Sequence, residues 1–470
     1  MRSRFDLTYV NLISHRMPSL DHPTTSSFSR TESTLVSAIR SPKRSRGADY
    51  SRAKWFRYYA GYSAGFVEDT LNQLDLDPNA ILLDPWLGAG TTAEVAATRG
   101  YQVRGYDLNP AMLLVARART LATDSKADIA GLVKRIAVAY ERASSRVAKT
   151  GRSEIDDSLE KWLQPASARA FRLLEGSVAA TVLGQPASYG SAIWSQFGRV
   201  SSTAAFFYVG LFRTLRHFIA DFQSSNPTWV KVSDGKQRVQ LSIERIGNRF
   251  FKEIALLQDA LNSEQRVMPS VGNRKCAINL ASSTKLPLSV NSVDVVLSSP
   301  PYCTRIDYVH ATLPELAVIR FPNGDVLRRL REGMIGTPTI ARESFSHDRA
   351  WGSTCNRFLS DVEAHTSKAS STYYLKYYRQ YFVSAFASMR EIDRVLKKAG
   401  HCVLVVQDSY YKEVLNDLPT IFCEMALGIG WKLKRKIDFP VKRTLAGINP
   451  RAKQYRDAFQ AVESALIFQK

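Results

Sequence analysis

Residues 84–92, Asp-Pro-Trp-Leu-Gly-Ala-Gly-Thr-Thr, contain a glycine-rich turn between two segments of different character. The preceding run, residues 81–83, is entirely apolar, which is typical of a buried strand. The following run, residues 91–99, has the composition of a helix. Gly88 and Gly90 lack the Cβ atoms that would keep a ligand away from the backbone. The order strand, glycine turn, helix therefore predicts the first unit of a nucleoside-binding α/β fold.

An acidic residue follows at the position where such a fold binds a ribose. Residues 101–107 form a second predicted strand, which ends in Asp107. In nucleoside-binding α/β units, a carboxylate at this point accepts hydrogen bonds from the ribose hydroxyls. Asn109 and Pro110 then begin the next helix, since Asn caps free N–H groups and Pro fits a first turn. Taken alone, the glycine pair could also be a tight loop without a ligand.

The segment Ser298-Ser299-Pro300-Pro301-Tyr302 predicts the second half of the same site. It follows a strand-like run, residues 293–297, and open α/β sheets bind ligands at the carboxyl ends of their strands. The Ser299 hydroxyl and the Pro300 carbonyl are two acceptors that could each take a hydrogen bond from a base's exocyclic amine. The Tyr302 ring offers a face on which the base could stack. An ordinary proline-rich turn or partner-binding stretch is the alternative.

Together the two segments resemble the amino-methylating DNA methyltransferases, which use S-adenosylmethionine. Serine at the first position of the Ser-Pro-Pro-Tyr motif is similar to the cytosine-N4 branch, whereas adenine-N6 enzymes more often carry Asp or Asn there. The resemblance covers the catalytic core and not the whole chain. It implies a base flipped out of DNA into the pocket and direct methyl transfer to its amine.

The resemblance also implies roles for individual residues. The predicted cofactor-binding residues lie in the glycine turn, at the end of the second strand and in two further segments: Asp84, Pro85, Gly88, Gly90, Thr91, Asp107, Leu108, Ser282 and Tyr59. The predicted catalytic residues are Ser299, Pro300, Pro301 and Tyr302. At Ala281 and Ser282 this chain departs from the family, which usually has an acid there. Tyr59 belongs to an aromatic-rich segment, residues 50–62, which could equally be plain core.

The order of these parts predicts an α/β fold, with a doubly wound, mostly parallel sheet like that of class I methyltransferases and a largely helical insertion. About 170 residues separate Asp107 from the next predicted core strand near Ile278, far more than an ordinary connection. The predicted organisation is a basic, flexible arm, a first core part, a mostly helical insertion and a second core part: residues 1–49, 50–123, 124–275 and 276–470.

Two segments are candidates for reading the DNA sequence. One is the insertion, residues 124–275, which lies between the two motifs. The other is residues 321–371, which we expect to form an irregular loop that could close over a flipped base. A purely scaffolding role for the helical insertion is the third interpretation.

The charge of the chain indicates a polyanionic partner. Its 470 residues carry a formal net charge of +21, and the sequence pI is about 9.8. Lys and Arg side chains bind nucleic acids by releasing counterions from phosphates, although general affinity for polyanions would have the same signature. The predicted nucleic-acid contacts are Arg305 beside the catalytic motif and a basic cluster near the C-terminus, Lys432, Arg435, Lys442 and Arg443. A solvated charged face is the alternative for that cluster.

The five cysteines show no spacing typical of a zinc site, so we predict no metal. An odd number of thiols favours a reducing compartment, the cytoplasm. Cys303 follows the catalytic motif, but transfer to an exocyclic amine needs no cysteine nucleophile, so we expect it only to fill space. No apolar run approaches the roughly 18 residues of a membrane span, and residues 1–17 do not form a secretory signal.

The sequence thus predicts a DNA methyltransferase acting on cytosine N4. By the family resemblance it could protect DNA from a companion restriction nuclease. Three other functions stay open: methylation of adenine N6 in DNA, methylation of a base in RNA, and nucleic-acid binding without catalysis.

Overall fold

The computed structural model describes residues 39–43, 51–59, 61–147, 157–184, 193–224, 226, 228–264, 268, 276–340, 348–441 and 461–470. Its centre is a seven-stranded sheet in the order β3-β2-β1-β4-β5-β9-β8. The strands are β1 (Ile81–Asp84), β2 (Gln102–Asp107), β3 (Cys276–Leu280), β4 (Val293–Ser298), β5 (Leu396–Gln407), β8 (Lys432–Val441) and β9 (Ala461–Gln469). Strands β1 to β5 are parallel, and β9 runs antiparallel to both of its neighbours. A separate hairpin pairs β6 (Ser409–Tyr411) with β7 (Val414–Asn416).

Both faces of the central strands are covered, which explains why β1 and β4 are almost continuously apolar, whereas the edge strand β8 alternates with exposed residues. Successive side chains of a strand point to opposite faces. In β4, Val295 and Leu297 therefore pack into one hydrophobic core, while Val296 packs into the other. The predicted doubly wound, mostly parallel sheet is confirmed.

The helices of the first half cover one face. They are α1 (Ala64–Gln73), α2 (Thr91–Thr98), α3 (Pro110–Arg119), α4 (Lys126–Val147), α5 (Pro165–Leu183), α6 (Ser202–Phe218) and α7 (Ile243–Asn262). The predicted helical insertion is thus present as α4 to α7. It shares one core with the sheet, because α6 is apolar on nearly all sides and packs against α3.

The helices of the second half are α8 (Tyr308–Ala311), α9 (Leu313–Val318), α10 (Asp325–Gly333), α11 (Ser353–Ala364), α12 (Leu375–Val395) and α13 (Leu418–Ile429). The prediction of an irregular loop over residues 321–371 was wrong, since α10 and α11 lie within it. In α11, Cys355, Phe358, Leu359 and Val362 recur at helical spacing and are buried together. Of the described helices, none combines the length and apolar character that a bilayer span requires.

The connections of the sheet reverse direction between β1 and β4. From β1 the chain continues to β2 and β3 on one side, and it later adds β4 and β5 on the other. Such a switch point leaves a crevice at the carboxyl ends of the two central strands. The glycine turn follows β1 and the catalytic motif follows β4, so both predicted segments border this crevice.

Candidate active site

The glycine turn has a backbone that favours glycine. Gly88 and Gly90 have φ angles of +48° and +79°, and Gly90 is the N-cap of α2. The Gly88 N–H donates to Asp107 Oδ2 at 2.8 Å. A Cβ atom on Gly88 would lie 3.1 Å from Cε1 of Tyr58, so that ring packs directly on the turn.

The carboxylate of Asp107 joins the glycine turn to the end of β2. Its Oδ2 binds the Gly88 N–H, and its Oδ1 accepts the Asn109 N–H at 2.9 Å. Burial raises the pKa of Asp107, and these backbone donors lower it. An ionised carboxylate has about four acceptor positions. The Leu108 N–H also acts on this carboxylate, so acceptor capacity remains for a further donor such as a ribose hydroxyl.

A contact between Asp84 and Ser298 links the two predicted segments directly. Asp84 ends β1 and is 1% exposed. Its Oδ1 accepts the Ser298 hydroxyl at 2.5 Å and the Trp86 N–H at 3.2 Å. Its Oδ2 is buried without a hydrogen bond among the described residues, and so is Nε1 of Trp86. The glycine turn and the Ser-Pro-Pro-Tyr motif therefore meet, although 214 positions separate the two residues in the chain.

Replacing Asp84 with asparagine is expected to flatten the dependence of stability on pH. Burial raises the pKa of Asp84 to about 6, whereas its unfolded value is near 3.8. Below pH 3.8 the carboxyl is neutral in both states; as pH rises through 6, ionisation costs the folded state up to about 3 kcal/mol. Urea unfolding at pH 4, 5, 6 and 7 measures this loss. The same pH profile for both proteins would contradict the prediction.

Neighbouring elements hold the catalytic motif in place. The Ser299 hydroxyl donates to the Val405 carbonyl of β5 at 3.1 Å. The Pro301 carbonyl accepts the Tyr381 hydroxyl of α12 at 2.8 Å. Within the described part of the chain, the Pro300 carbonyl accepts no hydrogen bond. Ser299 Oγ and the Pro300 oxygen are therefore both available as acceptors at the sheet edge.

The sequence did not reveal the partner of Tyr302. The Tyr302 hydroxyl donates to Oε1 of Glu463, near the start of β9. Glu463 is 7% exposed, and its Oε2 has no hydrogen bond among the described residues. Burial raises the pKa of this carboxyl. An acid inside the apolar run Ala461-Val462-Glu463-Ser464-Ala465 was the available signal, because buried carboxylates are rare without a partner.

The other predicted cofactor residues lie at the same edge with different surroundings. Ser282 follows β3 and hydrogen-bonds the Thr284 hydroxyl at 2.8 Å; the preceding Ala281 N–H donates to the Asp107 carbonyl. Leu108 directly follows Asp107, and Pro85 is buried in the turn. Thr91 is buried beside the guanidinium of Arg119, which also pairs with Glu94. Thr91 therefore supports the turn from the core side.

The aromatic segment before α1 contributes two tyrosines with different exposure. Tyr58 packs on Gly88, and Asp107 acts electrostatically on its hydroxyl. Tyr59 is 47% exposed and lies near Tyr308 of α8. Tyr58 is thus closer to the glycine turn than the predicted Tyr59, and only the fold distinguishes these two adjacent residues.

Arg305 and Cys303 follow the catalytic motif, and their side chains have different surroundings. The Arg305 guanidinium lies over the Tyr374 ring, 4.9 Å from its centroid, and the Arg305 backbone has a φ of +56°. Its N–H donates to the Tyr377 hydroxyl at 3.0 Å. Cys303 is buried, which raises the pKa of its thiol. A buried neutral thiol is a poor nucleophile.

The C-terminal basic residues are not brought to the site as a group. Lys432 pairs with Gln469, whereas the site edge lies where Glu463 pairs with Gln407. Six residues of strand place Lys432 roughly 20 Å from that edge. Arg435 lies on the same half of β8, and its guanidinium donates to Gln73. Lysines on an edge strand also hinder pairing with other sheets. Lys442 and Arg443 lie outside the described residues.

The strand order and the two adjoining turns are those of a class I methyltransferase-like fold. Type II methyltransferase M.BsoBI of Geobacillus stearothermophilus is 20% identical over 292 residues, which cover 60% of this chain and 55% of that protein. Type II methyltransferase M.AvaI of Anabaena variabilis is 22% identical over 201 residues, 39% of this chain and 41% of that protein. The chain thus spans about half the length of these curated relatives.

Comparisons with protein-family models and with solved structures support no further assignment. No protein-family model matches the chain. The rRNA methyltransferase AviRa of Streptomyces viridochromogenes aligns over 92% of this chain and 96% of its own, at 12% identity. The TM-score of 0.28 is too low for that likeness to support an argument.

Proposed function

We propose that this protein transfers a methyl group from S-adenosylmethionine to the exocyclic N4 of cytosine in DNA. The observation that carries the proposal is the hydrogen bond between Ser298 and Asp84, which brings the glycine turn and the Ser-Pro-Pro-Tyr motif to one crevice. The weak similarity to Type II methyltransferases agrees with this chemistry.

The residues around the crevice fit S-adenosylmethionine. Asp107 has acceptor capacity left for a ribose hydroxyl. Asp84 supplies a buried carboxylate oxygen without a hydrogen bond, which suits a cationic methionine group. Gly88 and Gly90 let the backbone approach a ligand, while Tyr58 and Ser282 would border it. When bound, the cofactor supplies an electrophilic methyl carbon.

The catalytic motif would prepare the amine of the base. The amine lone pair is delocalised into the ring, so the nitrogen is a weak nucleophile. Ser299 Oγ and the Pro300 carbonyl would accept its two hydrogens and favour a pyramidal nitrogen. Tyr302 would stack on the base, and Pro301 would hold the motif rigid. Arg305 would contact a neighbouring phosphate.

The finer parts of the proposal rest on particular residues. Serine at position 299 favours cytosine over adenine, by the family resemblance. Five unpaired thiols agree with a reducing compartment such as the cytoplasm. The proposal also includes a companion restriction nuclease, from which the methylation would protect DNA.

Incubation with labelled S-adenosylmethionine and either DNA or RNA, followed by nucleoside analysis, tests the proposal. Label in N4-methylcytosine from DNA is the expected result. Label in N6-methyladenine would correct the target base, and label in RNA would replace the substrate. Binding of DNA without any label would show that the protein is not an enzyme of this class.

Glu463 is expected to be needed for turnover because it holds the Tyr302 hydroxyl. Glu463→Leu should lower kcat about tenfold or more, since a hydrogen bond to a charged group contributes roughly 1.5–3 kcal/mol. Glu463→Gln keeps an acceptor oxygen and should retain most of the activity. Tyr302→Phe removes the same bond, so adding Glu463→Leu to it should cost little more. Full additivity of the two changes would refute the coupling.

A further inference from the structure

An exposed tryptophan, Trp229, lies beside α8, the short helix that follows the catalytic motif. It is 48% exposed, and only Tyr59 joins it as an aromatic residue among the exposed large apolar side chains of the described chain. The Trp229 ring stacks on His310 of α8, with centroids 3.8 Å apart and planes 27° from parallel. The ring thus packs on one side and is open to solvent on the other, which is the geometry that a stacking surface for a planar ligand requires.

The two residues that follow Trp229 are anchored to neighbouring elements. His310 Nε2 lies 3.0 Å from the Val230 carbonyl oxygen, and Val230 itself is 2% exposed. The Trp162 Nε1–H donates to the Lys231 carbonyl at 2.8 Å. The ring is therefore preorganised, so little conformational entropy would be lost when a ligand stacks on it.

Charged side chains from several elements lie near Trp229 or its stacking partner His310. Lys231 is exposed beside it in the chain. Burial lowers the pKa of the His310 imidazole; the nearby charge of Asp307 raises it, and the charges of Arg331 and Lys161 lower it. Arg331, on α10, donates through Nε to Asp307 at 2.9 Å, at the N-cap of α8. Residues from the helical insertion and from α10 therefore converge around His310 and Asp307 of α8, the short helix that follows the catalytic motif.

We propose that Trp229 is a stacking platform for a nucleobase adjacent to the flipped base in DNA, and that Lys161, Lys231 and Arg331 contact the flanking phosphates. This inference rests on the proposed function. A nucleic acid strand is favoured because it combines flat aromatic bases with a regular row of negative phosphates. The Trp229 ring would match the bases, and the basic side chains would match the phosphates. Residues from both candidate recognition segments, 124–275 and 321–371, would then contact DNA.

Binding of fluorescent duplex DNA, without cofactor, tests the platform with three variants of Trp229. Trp229→Ala and Trp229→Leu should each raise Kd about tenfold or more, and Trp229→Phe should stay near the wild type, because stacking requires an aromatic face. The salt dependence of binding should not change in these variants, whereas Lys231→Ala should reduce its slope by about one. Val290→Ala, at another exposed apolar residue (60% exposed), is the control.

Equal affinities of the Phe and Leu variants would overturn the platform, even if the alanine variant fails to fold. A loss of affinity for RNA of the same sequence but not for DNA would overturn the choice of DNA. If the wild type methylates no base while Trp229→Leu still weakens DNA binding, the platform stands and the proposed activity fails. The two proposals therefore fail in different measurements.

Discussion

Replacing Ser299 with alanine is expected to lower kcat on the order of 10²-fold while the Kd for S-adenosylmethionine stays close to that of the wild type. The Ser299 hydroxyl donates to the Val405 carbonyl, so lone pairs of its oxygen remain to accept from a ligand. That acceptor would act mainly as the amine nitrogen becomes pyramidal, which is a transition-state interaction. Single-turnover kinetics with DNA and calorimetry with the cofactor separate the two quantities.

Ser298 provides a matched control for this prediction. It is the adjacent serine and the same substitution applies, but its hydroxyl donates to Asp84 on the cofactor side of the crevice. Ser298→Ala should therefore weaken cofactor binding, with a smaller effect on kcat at saturating cofactor. If Ser299→Ala reduced turnover and cofactor affinity equally, the role assigned to Ser299 would be wrong.

Replacing Gly90 with alanine is expected to reduce both cofactor affinity and thermal stability. An added Cβ would lie 2.6 Å from Cβ and 2.8 Å from Cα of Ala116 in α3, and the φ of +79° is unfavourable for alanine. Either α3 must shift or the turn must change its path. We expect the Kd for the cofactor to rise more than about tenfold, since each 1.4 kcal/mol changes affinity tenfold.

Gly100 separates backbone strain from steric overlap. It has a φ of +81°, and no atom lies within 4 Å of the position that a Cβ would take. Gly100→Ala should therefore lower the free energy of unfolding only by the roughly 1–2 kcal/mol that a left-handed conformation costs alanine. It should leave cofactor affinity unchanged. A Gly90→Ala protein that behaves like Gly100→Ala in both assays would show that the packing of α3 on the turn is unimportant.

Several elements could be predicted because their signals are local. The strands around Leu82 and Val295 are short apolar runs, and Asn109-Pro110 begins α3 as its capping chemistry predicts. In the insertion, α4, α6 and α7 show apolar residues at helical spacing, which is the local signal for a helical segment. Helix α5 gives a weaker signal, because it buries mainly small residues such as Ala168, Ala170 and Ala179.

The position of basic residues shows the limit of composition. Lys432 and Arg435 are close in sequence to Lys442, but the direction of β8 places them toward the end of the strand that lies away from the crevice. A charge count cannot distinguish the two ends of a strand. Arg331, which the sequence placed in an irregular loop, instead lies on a helix beside the catalytic motif.

The amino-acid sequence was enough to predict the two turns, because glycine and proline restrict or free the backbone within a few residues of themselves. It could not show that Asp84 meets Ser298, that Glu463 holds Tyr302, or that Trp229 stacks on His310. Those contacts join residues from 81 to 214 positions apart. They depend on the order and direction of strands and on packing between distant segments, which no local pattern encodes.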